Sequence, residues 1–378
     1  MAAGTSDSAS ELAAVGRHFA IEGAFLGAEP YGSGHINATF VASYGAAGKP
    51  VRVVHQRLDR GVFPDPEAVM ENIARVLDHL RHKLLALELD DVQRRALTLV
   101  PARDGRAWWV DENGEVWRTY RFIEGATTFD QVTSAQQAFA TAVAFGTFQR
   151  LLLDLPGSRL REVIPDFHHT PRRLAALRSA LDADAANLAA LARPEIEFAC
   201  THEDLAWGLL RLHERGTIRE RVVHNDTKIN NVMFDDATGA ALCVIDLDTV
   251  MPGLALFDFG DMVRSAAGTV AEDAPDASGM AVRPEIFAAL AAGFLGALGE
   301  LVTPPERDSL VLAGTVMSFE CGVRFLTDFL NGDRYFRVHR PGHNLDRCRT
   351  QFALVRSLGE REDELRRLTE TIAPGRLP

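Results

Sequence analysis

The sequence predicts an α+β protein in two parts, a small strand-rich N-terminal lobe and a larger, mostly helical C-terminal one. Three observations carry this. Strand-like alternation fills the first sixty residues, one amphipathic helix and more strands follow, and from about Thr133 helical patterning dominates. The 378 residues, 47% of them hydrophobic, suffice for two lobes with sizeable cores.

The first ten residues are rich in Ala, Ser and Gly and are expected to fray. The stretch "FLGAEPYGSGHINATFVASYGAAGKPVRVVHQRL" reads as three antiparallel strands, with turn signals at 30–34 and 45–50. In "DPEAVMENIARVLDHLRHKLLAL", Val69, Met70, Ile73, Val76, Leu77 and Leu80 recur at helical spacing and define one apolar face. The strings "LTLVPA", "AWWVD" and "VWRTYRFI" read as further strands. The character changes after "EGATTFD", so Glu124–Gly125 is a candidate hinge between lobes 1–124 and 125–378. In the second lobe, "VVH", "NVMF" and "ALCVIDLD" are short strands among helices.

Lys and Arg number 40 against 52 Asp and Glu, a net charge of −12, and no basic block stands out, which argues against a nucleic-acid partner. The four cysteines have no C-x-x-C spacing, pointing to a reducing cytoplasm rather than a disulfide framework. The N-terminus lacks the basic start and apolar core of a signal peptide. The greasy stretch "QAFATAVAFGTFQRLLLDL" is interrupted by Gln149 and Arg150 and falls short of the ~20 apolar residues a bilayer needs, so it reads as a buried helix.

Chemistry concentrates in "VVHNDTKINNVMF". His224, Asp226 and Asn231 stand as H-x-D-x-x-x-x-N, and Asp246 follows on the next strand. Phosphoryl transfer needs this set: a carboxylate (Asp226) to accept the hydroxyl proton, and hard oxygen ligands (Asn231, Asp246) for Mg²⁺ on the phosphates. The apolar flanks would hold the loop rigid. Upstream, Gly32, Ser33 and Gly34 lie in a strand–turn–strand where glycine admits backbone N–H groups close to phosphate.

These strings closely resemble the aminoglycoside-phosphotransferase-like small-molecule kinases, and within them the N-acetylhexosamine 1-kinases. "CVIDLDTVMPGLALFDFGDMVR", "YRFIEGATTFD" and "FLTDFLNGDRYF" extend the resemblance from about residue 20 to 370. The resemblance implies a protein-kinase-like bilobal fold and ATP- and Mg²⁺-dependent phosphorylation of the anomeric hydroxyl of N-acetylglucosamine or N-acetylgalactosamine. It implies Asp226 as base, and His35, Asp226, Arg324 and Tyr335 around the sugar. Arg324 lies in an otherwise apolar helix, where a charge is costly unless paired or facing a ligand.

Strand three carries no lysine for the phosphates. Arg57 is the substitute, with Gln56 as the competing register and Glu71 or Glu67 as its helix partner. Adenine is expected against the backbone of "YRFIEG", at Arg121 and Ile123. Asp258 and Asp261 read as structural, Asp248 as an acidic neighbour, and "FHHT" at 167–170 as without chemistry. The expected partners are ATP and a small sugar, with no membrane, in a monomer or small homo-oligomer. The rival readings are a kinase of the same fold acting on an aminoglycoside, an amino alcohol or another sugar, and a catalytically inactive kinase-fold binding protein.

Overall fold

The computed structural model describes residues 4–32, 36–45, 50–89 and 91–372, with side chains from Ser10 onward. Two compact units form. One contains Met1–Ala126, Leu155–Ile164 and Leu242–Val250, and the other contains Thr127–Asp154, Pro165–Ala241 and Met251–Pro378. The first unit thus recruits two segments from beyond residue 124.

The first unit is built on a five-stranded antiparallel sheet. Its strands are β1 (Ala24–Pro30), β2 (Ala38–Gly45), β3 (Val51–Arg57), β4 (Trp109–Val110) and β5 (Val116–Arg121), in the order β1-β2-β3-β5-β4. Register assigns the faces, because alternate residues point to opposite sides and residues paired across strands share a side. Phe40, Ala42, Val53 and Trp117 face one way. That side is closed by Leu12 and Val15 of helix α1 (Gly4–Gly16), with Phe19, Val100 and Ala102. The sequence reading missed α1, because its Ala/Ser/Gly composition hides two large apolar anchors. Thr39, Val41, Val54, Gln56, Arg118 and Tyr120 line the opposite face.

Helix α2 (Pro66–Ala86) starts where expected. Asp65 accepts the Ala68 N–H at 3.0 Å, and Pro66 occupies the first turn, where its missing N–H costs nothing. Buried Asn72 on α2 ties in both recruited segments. Its Nδ2 donates to the Arg161 and Val250 carbonyls at 2.8 and 3.1 Å, and its Oδ1 accepts the Arg161 N–H at 3.1 Å.

The second unit is helical. Helices α3 (Ala135–Leu151), α4 (Thr170–Ala183), α5 (Ala255–Ala266), α6 (Pro284–Leu298), α7 (Leu310–Leu330) and α8 (His343–Glu360) make its core. Strands β6 (Glu220–Val223) and β8 (Met251–Leu254) pair antiparallel, and β7 (Val232–Asp235) lies between them in sequence. Helices α5 and α7 approach so closely that a Cβ on Gly260 would stand 2.3 Å from the Ala313 carbonyl oxygen. The apolar stretches Pro284–Leu301 and Leu310–Leu330 are each long and apolar enough to cross a bilayer by length and composition, exceeding the stretch singled out from sequence. Here α7 is 78% buried, packing Phe319, Val323 and Leu326 against Phe352 and Val355 of α8.

Candidate active site

The loop after β6 is held by buried carboxylates. Asp258, in the first turn of α5, accepts the N–H of His224 at 3.0 Å, the N–H of Asn225 at 2.7 Å and the Gln149 amide at 2.6 Å. Asp261, one turn on, accepts the Thr227 N–H at 2.6 Å, and the Thr227 hydroxyl donates to the Asp258 carbonyl. Both aspartates of "FDFGD" are therefore spent on loop geometry. Burial pushes the Asp258 carboxyl up, opposed by His224 and its hydrogen bonds. His224 is fully buried, with the rings of Phe145 and Phe148 at 5.2 and 5.8 Å. Asn225 adopts a left-handed φ of 67°, the turn that sets up Asp226.

Asp226 is 26% exposed at its side chain and lies 3.0 Å from the Lys228 ammonium. Asn231 donates its amide to Asp226 twice, at 2.9 Å to Oδ2 and 2.8 Å to the carbonyl. Burial alone would raise the Asp226 pKa. The charges of Lys228, His224 and Arg264 outweigh it and hold the carboxyl below its ordinary value. Asp226 is thus an ionised acceptor at neutral pH. Lys228 was missed in the sequence reading, although D-x-K spacing puts it on the same loop.

A second layer supports the loop from α7. Glu320 accepts from His168 Nδ1 at 2.7 Å and from the Thr170 hydroxyl at 2.6 Å, while His168 Nε2 donates to the Asn225 carbonyl at 3.0 Å. This links α7 to the loop through His168 and gives "FHHT" a positioning role that the sequence reading withheld. One turn along α7, the Arg324 guanidinium sits 5.3 Å from the Phe167 ring centre and 5.5 Å from that of Phe336. Among the described residues no carboxylate bonds it. Arg173 stands nearby, its pKa lowered by burial and by the Arg324 charge. Asp328 accepts the N–H groups of Arg334, Tyr335 and Phe336 at 2.8–2.9 Å and so fastens the turn bearing Tyr335, whose side is exposed.

In the first unit, the expected Arg57–Glu71 pairing gives way to other partners. Arg57 lies on the α1 side of the sheet, 3.8 Å from Glu11 and 5.7 Å over the Trp117 ring. Glu71 pairs with Arg161 at 3.3 Å, and Glu67 is exposed. The reason is the strand period: one residue of slip reverses the face. Gln56 occupies the other face, between Thr39 (3.0 Å) and Arg118 (2.9 Å). Arg118 in turn pairs with Asp248, which also accepts from Asn37. Arg118 was absent from the sequence candidates, since nothing local marks a cation on β5 as facing inward.

Asp246 is exposed with a left-handed φ of 59°, a strain of the kind stored where geometry serves a function. Gly32 has φ 81°, open to glycine without cost. Ser33, Gly34 and His35 lie outside the described residues. At the two positions expected against adenine, the Arg121 N–H is given to the Thr98 carbonyl at 2.8 Å, and Ile123 is buried. At Glu124–Gly125, Arg94 donates to both carbonyls, and Arg52 pairs with Glu124.

Comparison with known proteins agrees with this architecture. The family model described as the phosphotransferase enzyme family matches residues 27–300, and the chain belongs to that family. It is an enzyme that transfers phosphoryl groups to hydroxyl acceptors. Its mixed fold, an antiparallel N-terminal sheet with a helical C-terminal part, is the kinase-like one. Among solved structures, it is similar to an aminoglycoside phosphotransferase from Alicyclobacillus acidocaldarius (13% identity, 94% of this chain and 96% of that one, TM-score 0.56). A choline kinase from Cryptosporidium parvum matches at 14% identity over 94% and 96%, TM-score 0.53. A spectinomycin phosphotransferase in complex with ADP and spectinomycin matches at 13% over 96% and 98%, TM-score 0.51.

Proposed function

We propose that this phosphotransferase moves the γ-phosphoryl group of ATP onto the anomeric hydroxyl of an N-acetylhexosamine, giving a sugar 1-phosphate. The observation that carries the acceptor choice is Arg324. A partly buried guanidinium to which no carboxylate bonds among the described residues, standing between Phe167 and Phe336 and beside Arg173, makes a cationic, aromatic-walled surface. The two guanidinium charges disfavour a cationic acceptor, and the aromatic walls suit a neutral, hydroxyl-rich ring. The surface adjoins the loop through Phe167 and His168.

Asp226 accepts the acceptor's proton. An anomeric hydroxyl is more acidic than an ordinary alcohol, so an ionised carboxylate is a sufficient base. Lys228 keeps that carboxylate charged and Asn231 fixes its orientation. Because Asn231 spends its amide nitrogen on Asp226, its carbonyl oxygen is the atom left for a metal. Asp246 is an exposed carboxylate, and each of the two residues would offer a hard oxygen of the kind Mg²⁺ takes alongside phosphates and water. When bound, Mg²⁺ neutralises the phosphate charge that builds up in transfer. Gly32, Ser33 and Gly34 would lend backbone N–H groups to the phosphates, Ile123 its backbone to adenine, and His35 and Tyr335 hydrogen bonds to the sugar.

The test is ADP release with Mg·ATP over a panel of N-acetylglucosamine, N-acetylgalactosamine, free hexoses, choline and kanamycin. Turnover should be confined to the N-acetylhexosamines, and Arg324→Met should raise their KM about tenfold or more, the worth of one hydrogen bond from a charged donor. Preference for choline or kanamycin would overturn the acceptor assignment and leave the phosphotransferase.

A further inference from the structure

The inner face of the sheet carries a polar chain that the family pattern does not account for. It runs Thr39–Gln56–Arg118–Asp248–Asn37. Arg118 and Asp248 are 1% and 3% exposed at their side chains. Asp248 grips two things at once. It takes Arg118 from β5, and it takes Asn37, whose Oδ1 also receives the Asp59 N–H at 3.0 Å. Asn37 directly precedes β2, and Asp248 lies two residues from Asp246. One buried cation therefore anchors both the entry to β2 and the carboxylate segment.

Stability does not account for such a pair. Burying two charges costs about as much as their attraction returns, and apolar replacements of similar volume are often neutral or better. The neighbouring positions on the same face, Val41 and Val54, are apolar, so an apolar solution was at hand. A second observation points to a ligand. Tyr120, the next residue along β5 on this face, is 4% exposed, and its hydroxyl has no hydrogen-bond partner among the described residues. It sits with its ring 5.3 Å from the Arg118 guanidinium and within the fields of Asp246 and Asp248. A buried O–H donor without an acceptor costs free energy unless something arrives to take it.

We infer that Arg118 is the positioning cation of the nucleotide site, acting from β5 through Asp248. It fixes the Asp246 segment and the residue that leads into β2, and the Tyr120 hydroxyl donates to an oxygen of the bound nucleotide or of its hydrated cation. This rests on the reading of the protein as an ATP-dependent kinase, but not on which acceptor it uses.

The test uses the full chain and Mg·ADP as probe in titration calorimetry, beside thermal unfolding and steady-state kinetics. Arg118→Met leaves Asp248 buried and unpaired and is expected to unfold readily, so the deciding variant is the double one, Arg118→Met with Asp248→Leu, which removes both charges. The double variant should melt near the wild-type temperature, yet bind Mg·ADP at least thirtyfold more weakly and lose about a hundredfold in kcat/KM for ATP, with the acceptor KM changed less than twofold. Arg118→Lys should recover part of the nucleotide affinity, and Tyr120→Phe should weaken Mg·ADP about tenfold without lowering the melting temperature. A well-folded double variant that binds Mg·ADP like wild type would overturn the assignment and reduce the pair to filling. If wild type binds Mg·ADP but phosphorylates no N-acetylhexosamine, the acceptor reading falls while these affinities still decide the role of Arg118.

Discussion

The loop of residues 224–231 and the inner sheet face solve opposite problems. The loop carries its chemistry in consecutive residues, and its supports are remote: Asp258, Asp261, His168 and Glu320 come from other segments and end on its backbone or on one another. The sheet face has no chemical motif in sequence. Its polar row is assembled across three strands by register alone, with Asp248 closing it. A site built on one turn can be read from spacing, whereas a site built across a sheet appears only once the strands are aligned.

The sharpest way to break this contrast is at the loop. Asp226→Asn should lower kcat by about a thousandfold, the range of a lost general base, with an unchanged melting temperature. Because the Asp226 carboxyl is held below its ordinary value, wild-type kcat should stay level from neutral pH down into the ordinary carboxylate range. A fall in rate beginning near pH 6 would contradict this.

The supports come next. Asp258→Ala strands the N–H groups of His224 and Asn225 and the Gln149 amide in a buried site. It should cost about 3–4 kcal/mol in denaturant unfolding and collapse the rate as well. A stable but inactive protein would instead make Asp258 a participant in the chemistry.

The sheet supplies a pH-dependent counterpart. His55 is fully buried between the Tyr44 and Thr119 hydroxyls, at 3.0 and 2.8 Å, and burial pushes its pKa down to about 4. The unfolded chain binds the proton more readily, so stability is complete above the unfolded value near 6.5 and declines as pH falls towards 4. That decline should be about 3 kcal/mol, and it should vanish in His55→Phe. Equal pH profiles for the two proteins would contradict it.

The smallest effect sharpens the comparison. Arg57→Met removes a solvent-exposed contact with Glu11 and should shift stability by less than about 1 kcal/mol and nucleotide affinity by less than about threefold. A large loss of nucleotide affinity would return Arg57 to the phosphate site and weaken the case for Arg118.

These outcomes mirror what the sequence could disclose. The α+β class, the three opening strands, α2 and the short strands around the loop follow from periodicity and turn residues. The structural role of Asp258 and Asp261 was also legible, because Asp246 already filled the position after the loop's second strand. Helix α1 was missed, its Ala- and Ser-rich segment leaving only Leu12 and Val15 as anchors. Arg57 was chosen over Gln56 on charge, and strand period decided otherwise. Arg118 and Lys228 were overlooked for different reasons. Arg118 gains its meaning from Gln56, 62 residues earlier, and Asp248, 130 residues later. Lys228 stood in plain sight two residues after Asp226. His168 and Glu320 lie 152 residues apart, and no local pattern joins them.

The proposed role of Asp226 is to direct phosphoryl transfer to the anomeric oxygen of an N-acetylhexosamine. The most direct measurement is ³¹P NMR of the product formed from Mg·ATP and each N-acetylhexosamine, by wild type and by Asp226→Asn. A phosphorus signal coupled to the anomeric proton is expected with wild type, and no such signal over the same interval with Asp226→Asn. A product phosphorylated at another hydroxyl, or an Asp226→Asn protein that makes the 1-phosphate at the wild-type rate, would contradict it.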